Sequence, residues 1–349
     1  MVILGAGASY DSVDLTLDPI ASAVRHEKRP PLAKELFQPR HSFAEVVARY
    51  PDMAPLVTPL RRAIGKGDQL EQVLHTFEAE AATYPTRTRQ LLAIQCYLRD
   101  IIGDCGTQWA TAASGVTHYA ELADELERWR SINRAGAAIY YVNFNYDVMF
   151  DDVLARTYRR QFEHMADYIA YNDLQLFKPH GSVNWGHPVW DTPSPGSAGV
   201  TGQHLFRAGG IRKIAYNEFA LVTNHNIWTE GAYMIAPALA VPIQGKAAFE
   251  FPQPHKQALV KAIANTTAVI TIGWRGVEQH FLELWKGRST GFNLACVSGQ
   301  EEASRETVVN LQKGGMFNGT SAWPPAFAGG FGDFLASGDL RRFVRGYVT

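Results

Sequence analysis

Cysteine is scarce. The 349-residue chain has three, Cys96, Cys105 and Cys296, and none forms a CxxC pair. That excludes a four-thiolate zinc site and a disulfide framework, and it suits isolated reduced thiols in the cytosol. Charge is also sparse: 19% of residues are charged, and 33 basic against 34 acidic side chains leave a net charge of −1. Phosphate neutralisation needs clustered Lys and Arg, and the densest basic group is only Arg341, Arg342 and Arg345, which reads as a solvated helix face. No direct nucleic-acid binding is expected. No apolar run approaches the ~18 residues of a membrane span, and the N-terminus lacks the basic region, apolar stretch and small-residue cleavage site of a secretion signal. The expectation is a soluble, cytoplasmic protein with no membrane association.

Repeats and low-complexity tracts are absent as well. What is present is 46% hydrophobic and 11% aromatic residues, the composition of a globular chain able to bury a large core. At roughly 100–200 residues per domain the length allows one large domain or two moderate ones; we read residues 1–349 as one. Met1 to Leu4 is a short apolar run ending at Gly5, the pattern of a buried parallel strand feeding a tight turn. The abrupt start fits either a short strand or residues preceding it. Ser9 to Pro31, with three prolines, reads as a loop. From about 32 to 135 helical spacing takes over, as in Leu70, Val73, Leu74 and Phe77 or Leu91, Ile94 and Leu98, predicting about four or five helices inserted after the first strand.

Strands are predicted at Ala137–Val142, Gln175–Lys178, Tyr233–Ala236 (ended by Pro237), Ala268–Gly273 and Asn293–Val297. Helices are predicted through Arg156 and over Gln257–Ala264, Val277–Trp285 and Ala303–Gln312. Residues 186–230, rich in Gly, Pro, Ser, Thr and Asn, form the least regular stretch. Strands alternating with helices predict an α/β fold: a Rossmann-like parallel sheet flanked by helices, with a helical insert after the first strand.

Four short motifs fall at predicted strand ends, where α/β proteins hold ligands. Gly5-Ala6-Gly7-Ala8-Ser9 offers backbone N–H groups that a pyrophosphate can approach closely, or simply makes a tight turn. In Asn143-Phe144-Asn145-Tyr146-Asp147, Asn145 and Asp147 point the same way if extended; taken alone, the motif reads first as a helix cap, with Asp147 capping the next helix. Lys178-Pro179-His180-Gly181-Ser182 places a histidine beside a glycine, as a general base near neutral pH or as one of 11 histidines with ordinary roles. Trp185 just beyond it would wall a pocket or fill core. Thr271-Ile272-Gly273-Trp274 is a second glycine turn after a strand.

In this order the motifs resemble the sirtuin superfamily of NAD-consuming enzymes, and more narrowly the bacterial sirtuin-like NAD hydrolases of antiviral defence. Gly5-Ala6-Gly7-Ala8-Ser9-Tyr10-Asp11-Ser12, Arg29-Pro30-Pro31-Leu32 with Glu35-Leu36-Phe37, and Lys178 to Trp185 carry the likeness, with Pro237 to Pro242 similar to a proline-bearing segment of that family. The resemblance spans roughly residues 1–300. The chain departs from the deacylase branch: it cannot build the four-cysteine zinc module and has no Gly-Ile-Pro-Asp-Phe-Arg run after the first glycine loop. Trp274, Arg275 and Glu278 stand where the family often has Gly-Tyr-Ser and a later Asp. The first two departures speak against peptide deacylation, the last against the usual adenosine-side contacts.

The resemblance implies hydrolysis of the nicotinamide–ribose bond of NAD, with NAD as substrate and no metal. Asn145 would hold the ribose or the attacking water, His180 would accept a proton, and Asp147 would position the nicotinamide amide or the Asn145 loop. Gly5, Ala6, Gly7, Ala8 and Ser9 would cradle the pyrophosphate, beside Asn143 and Gly181. Asp11 would touch the nicotinamide ribose or anchor its loop, and Gly273 and Trp274 would line the adenosine half. A deacylase or ADP-ribosyl transferase and a non-catalytic NAD or ADP-ribose sensor are the alternatives. An NAD hydrolase endangers its host, so a regulatory partner protein or self-assembly is expected. Phe327, Phe331, Phe334 and Phe343 of the C-terminal tail are candidates for an assembly surface or for core.

Overall fold

A computed structural model describes residues 1–13, 28–39, 42–66, 70–133, 137–190, 214–222, 229–230, 233–240, 249–288, 291–317 and 325–346. Residues 14–27 of the expected Ser9–Pro31 loop, most of 186–230 and Pro242 lie outside them.

The expected α/β architecture is present. Strand β1 (Val2–Leu4) is central to a six-stranded parallel sheet with β2 (Ile139–Asn143), β3 (Leu174–Phe177), β8 (Ala268–Ile272), β9 (Asn293–Val297) and β10 (Ala326–Phe327). The order is β10-β9-β8-β1-β2-β3. After β1 the chain builds outward through β2 and β3, then returns to β8 on the other side. The carboxyl ends of β1 and β8 therefore flank a topological switch point, the usual ligand crevice of a Rossmann-like sheet. Val2, Ile3 and Leu4 are almost wholly buried, because helices cover both faces of a parallel sheet.

Among the described residues, beyond a short helical turn at Ala6–Tyr10, helices at Phe43–Arg49, Ala54–Gly65, Leu70–Glu80, Thr86–Ala112 and His118–Asn133 lie between β1 and β2. They divide between two cores. Leu122 and Leu126 of the last helix join the core of the parallel sheet, so this helix is the β1–β2 crossover. Leu91, Ile94, Leu98 and Ile101 of the 27-residue helix Thr86–Ala112 belong to a second core with the preceding helices and with Val183, Val189, Met234 and Leu239.

Those last residues lie in a four-stranded antiparallel sheet, order β5-β4-β7-β6, that the sequence did not predict. It comprises β4 (Gly181–Val189), β5 (Ala220–Leu221), β6 (Thr229–Glu230) and β7 (Tyr233–Leu239). Glycine and proline concealed it, since both are depleted in strands. Here Gly186 and Pro237 pair across the sheet, and Pro237 does not end its strand. A Cβ on Gly186 would lie 2.0 Å from Ile235 Cγ2 and 2.7 Å from the Ala236 carbonyl oxygen, so the two strands meet closely enough only because this residue lacks one.

Other expectations change in extent. Ser9 and Tyr10, expected in a loop, finish a helical turn, Ala6–Tyr10, in which Ala8 and Ser9 are buried. The helix expected over Val277–Trp285 is confined to Gln279–Glu283, and those over Gln257–Ala264 and Ala303–Gln312 extend to Gln253–Asn265 and Glu301–Lys313. The tail folds into helices Gly330–Ala336 and Asp339–Val344. Phe331, Phe334 and Phe343 are core, packed against the parallel sheet, and Phe327 is half-buried; they are no exposed assembly surface. No described helix is long and apolar enough to cross a membrane.

The close pairing at Gly186 gives a first prediction. Gly186→Val should destabilise the fold by ~2 kcal/mol or more, because both the β-branched Ile235 side chain and the Ala236 carbonyl must yield. Urea unfolding measures it; an unchanged midpoint would contradict the tight register.

Candidate functional site

The carboxyl ends of β1, β2, β3 and β8 bring the four motifs together. Gly5 N–H donates to Ile272 O at 3.0 Å and Gly7 N–H to Gly273 O at 3.1 Å, locking the two glycine turns against each other. Cβ atoms on Gly5 or Gly7 would fall within 2.5–2.8 Å of Gly273 backbone atoms, and Gly273 has a φ of +60°, so all three positions require glycine. Ala8 N–H is also committed, to Gly5 O at 2.8 Å. Three of the five N–H groups expected to cradle a pyrophosphate therefore serve the turn itself.

The second motif is the polar centre. Asn143 is wholly buried at the end of β2, and its Oδ1 accepts from Asn145 N–H at 3.0 Å. Its Nδ2 is buried without a partner among the described residues. Asn145, also buried, donates from Nδ2 to Gly5 O (2.9 Å), Ser9 Oγ (2.8 Å) and the Tyr119 hydroxyl (3.3 Å). Ser9 Oγ donates to Asp147 Oδ2 at 2.6 Å and lies 2.9 Å from the Tyr119 oxygen. The other Asp147 oxygen accepts from Met149 N–H at 3.1 Å, at the start of helix Met149–Thr157. Asp147 thus does both things its position allowed: it serves the helix start and faces the glycine loop. Burial pushes its carboxyl up, against the lowering effects of Ser9, Lys178 and the Met149 N–H; Asp151 adds to the rise. Burial likewise holds the Tyr119 phenol well above its ordinary value, so it stays protonated.

Tyr119 carried no sequence signal. Neither did the ion pair that supports Asp147 from behind. Lys178, with no exposed side-chain surface, sits 3.0 Å from Asp151 Oδ2 and donates to the Asp147 carbonyl oxygen at 2.7 Å. Tyr168 donates its hydroxyl to Asp151 at 3.0 Å. The nearest hint was Lys178 itself, a lysine at the end of an apolar strand.

His180 is half-buried where the chain passes from β3 into β4. Ala240 N–H bonds its carbonyl and Glu250 N–H that of Pro179. Gly181 adopts a φ of +79°, and a Cβ there would strike Ala238 O at 2.0 Å. The imidazole lies edge-on to Phe144 at 4.9 Å between ring centres, and the other side of the Phe144 environment is filled by Trp274, stacked at 5.2 Å and 3°. Trp274 is core, as is Trp185. Asp11 anchors its loop: its carboxylate accepts from Phe331 N–H at 2.7 Å and lies 3.8 Å from Arg29. Among the described residues no group of three or more His, Cys, Asp or Glu side chains could hold a metal ion.

This geometry defines a Rossmann-like α/β protein with a buried Ser–Asn–Asp–Tyr network and a histidine at the carboxyl edge of its parallel sheet. The chain matches no family model and no curated protein.

Two measurements test the electrostatics. Lys178→Met strands a buried carboxylate at Asp151 and should cost about 3–5 kcal/mol, whereas Lys178→Met/Asp151→Leu should recover part of that loss in denaturant unfolding. The His180 and His255 imidazoles are held down at about 4 from the ordinary 6.5, chiefly by burial. Folding favours their neutral forms, so their contribution is full above pH 6.5 and is lost as pH falls toward 4. Melting temperature should drop across that window, and less steeply in His255→Leu.

Proposed function

We propose that this protein hydrolyses NAD at the nicotinamide–ribose bond. The observation that carries the reading is the convergence of the first glycine turn, Asn145, Asp147 and His180 at the carboxyl ends of β1, β2 and β3, beside the switch point. Water adds to the anomeric carbon, the bond to the pyridinium nitrogen breaks with its electron pair going to nicotinamide, and the products are nicotinamide, ADP-ribose and a proton. Nicotinamide leaves neutral, so no strong acid is required. The work is to place water and stabilise an oxocarbenium-like ribose.

In this reading the Asn145 carboxamide oxygen meets the ribose or the water, since its Nδ2 is already engaged. His180, neutral at pH 7, accepts the proton. Asp147 holds the Ser9 hydroxyl and orients the loop that carries Asn145. Ala6, Ser9 and Gly181 border the phosphate path. A regulatory partner or self-assembly in the cytoplasm, and a role in antiviral defence, belong to the same proposal. The burial of Asn145 within an internal network also favours a second reading, a non-catalytic NAD or ADP-ribose sensor.

Purified protein is incubated with NAD, and nicotinamide and ADP-ribose are quantified for wild type, Asn145→Ala and His180→Ala. A loss of ~100-fold or more in each variant, with melting temperature retained, is expected. Release that survives both substitutions would overturn the mechanism. NAD binding without release in wild type would favour the sensor.

A further inference from the structure

Behind Asp147 lies a cavity of about 410 Å³, between helix Thr86–Ala112, the first turns of helix Met149–Thr157 and Asn184 of β4. That is the size of a small-molecule site. One wall, from Gly106 to Thr111, is made of small and hydroxyl-bearing residues, and a Cβ on Gly106 would lie 3.5 Å from Asp147 Cβ. The cavity therefore backs on the candidate site without including Asn145 or His180. Phe162 and Tyr168 supply aromatic surface.

Its polar groups are unbalanced. Asp151 is neutralised by Lys178 and bonded by the Tyr168 hydroxyl. Asp152, exposed at the rim, has no cation within ion-pairing distance among the described residues. Arg156, one turn on, spends its Nε on the Asp152 backbone carbonyl instead. The Asp152 carboxyl is pushed up to about 6, first by burial of that group and then by Asp151; Arg156 and Lys178 lower it, and Asp147 raises it slightly. Asn184 also lines the pocket, and its Oδ1 is a buried acceptor with no partner among the described residues. The pocket thus carries one carboxylate at its rim with no cation assigned to it, beside apolar and aromatic walls.

We propose that this cavity binds a small organic cation: a protonated amine on an aryl or alkyl body, its ammonium donating to Asp152 and its body lying against Phe162 and Tyr168. The proposal is independent of NAD cleavage.

Isothermal titration calorimetry without NAD tests it with two probes of matched shape, tryptamine and its neutral alcohol analogue tryptophol. At pH 7.5 tryptamine should bind ~10-fold tighter or more, the effect of one charge-assisted hydrogen bond. Asp152→Asn should bring the two to parity, and Ala110→Trp, which fills the cavity, should abolish both. Tryptamine affinity should fall below pH 6 as Asp152 takes up its proton. Melting temperatures establish that each variant is folded. Equal affinities in wild type, binding indifferent to both substitutions, or no tryptamine binding would each overturn the proposal.

Discussion

A lysine ammonium with no exposed surface is tolerated only where every charge near it is balanced by geometry, and much of this molecule is arranged around one. Lys178 reaches from the end of β3 to Asp151 and to the carbonyl of Asp147. Through those contacts it fixes the β2–helix loop relative to β3, and Tyr168 secures Asp151 from a third element. Such a pair adds little net stability, since desolvation offsets the attraction. What it supplies is a single permitted arrangement of the residues around Asp147. Ser9, Asn145 and Tyr119 then complete a network in which each hydroxyl and amide hydrogen has an acceptor.

The second constraint is steric. The turns after β1 and β8 touch backbone to backbone, so Gly5, Gly7 and Gly273 are fixed by the absence of Cβ atoms rather than by a ligand. Phosphate-binding loops use the same property to admit a ligand. Here much of it is spent on closing the sheet at its switch point, and the N–H groups of Gly5, Gly7 and Ala8 are engaged. Under the NAD hydrolase reading, groups beyond this turn carry more of the phosphate recognition than the glycine pattern suggested, because the Ser9 hydroxyl is itself engaged by Asp147.

The described residues form two hydrophobic cores, and His180 stands where the chain crosses between them. Phe177 ends a buried parallel strand, and four residues later Gly181 begins an antiparallel one packed against the long helix Thr86–Ala112. The turn is held by Glu250 and Ala240 N–H groups and by the positive φ of Gly181. A residue at such a junction is oriented by both cores at once, which gives His180 a defined position without placing it in an element of its own.

Period and composition determined a good deal. The apolar runs Val2–Leu4 and Val269–Ile272 read as strands of a covered sheet, and Leu91, Ile94, Leu98 and Ile101 lie on one helical face at any tertiary arrangement. Glycines and polar residues at the ends of such strands marked where a site would lie, because parallel strands present their carboxyl ends together. Long-range partners were not legible: nothing local to Tyr119, Lys178 or Asp151 announces a partner, and Asp11 is tied to Phe331 across 320 positions of chain. The antiparallel sheet was hidden for a related reason, since Gly186 and Pro237 read as breakers until each is seen to occupy the space left by the other strand. Local sequence set which segments were helix or strand and which face was apolar. The close approaches and shared protons that define the site arise only when residues far apart in the chain are packed within a few ångströms.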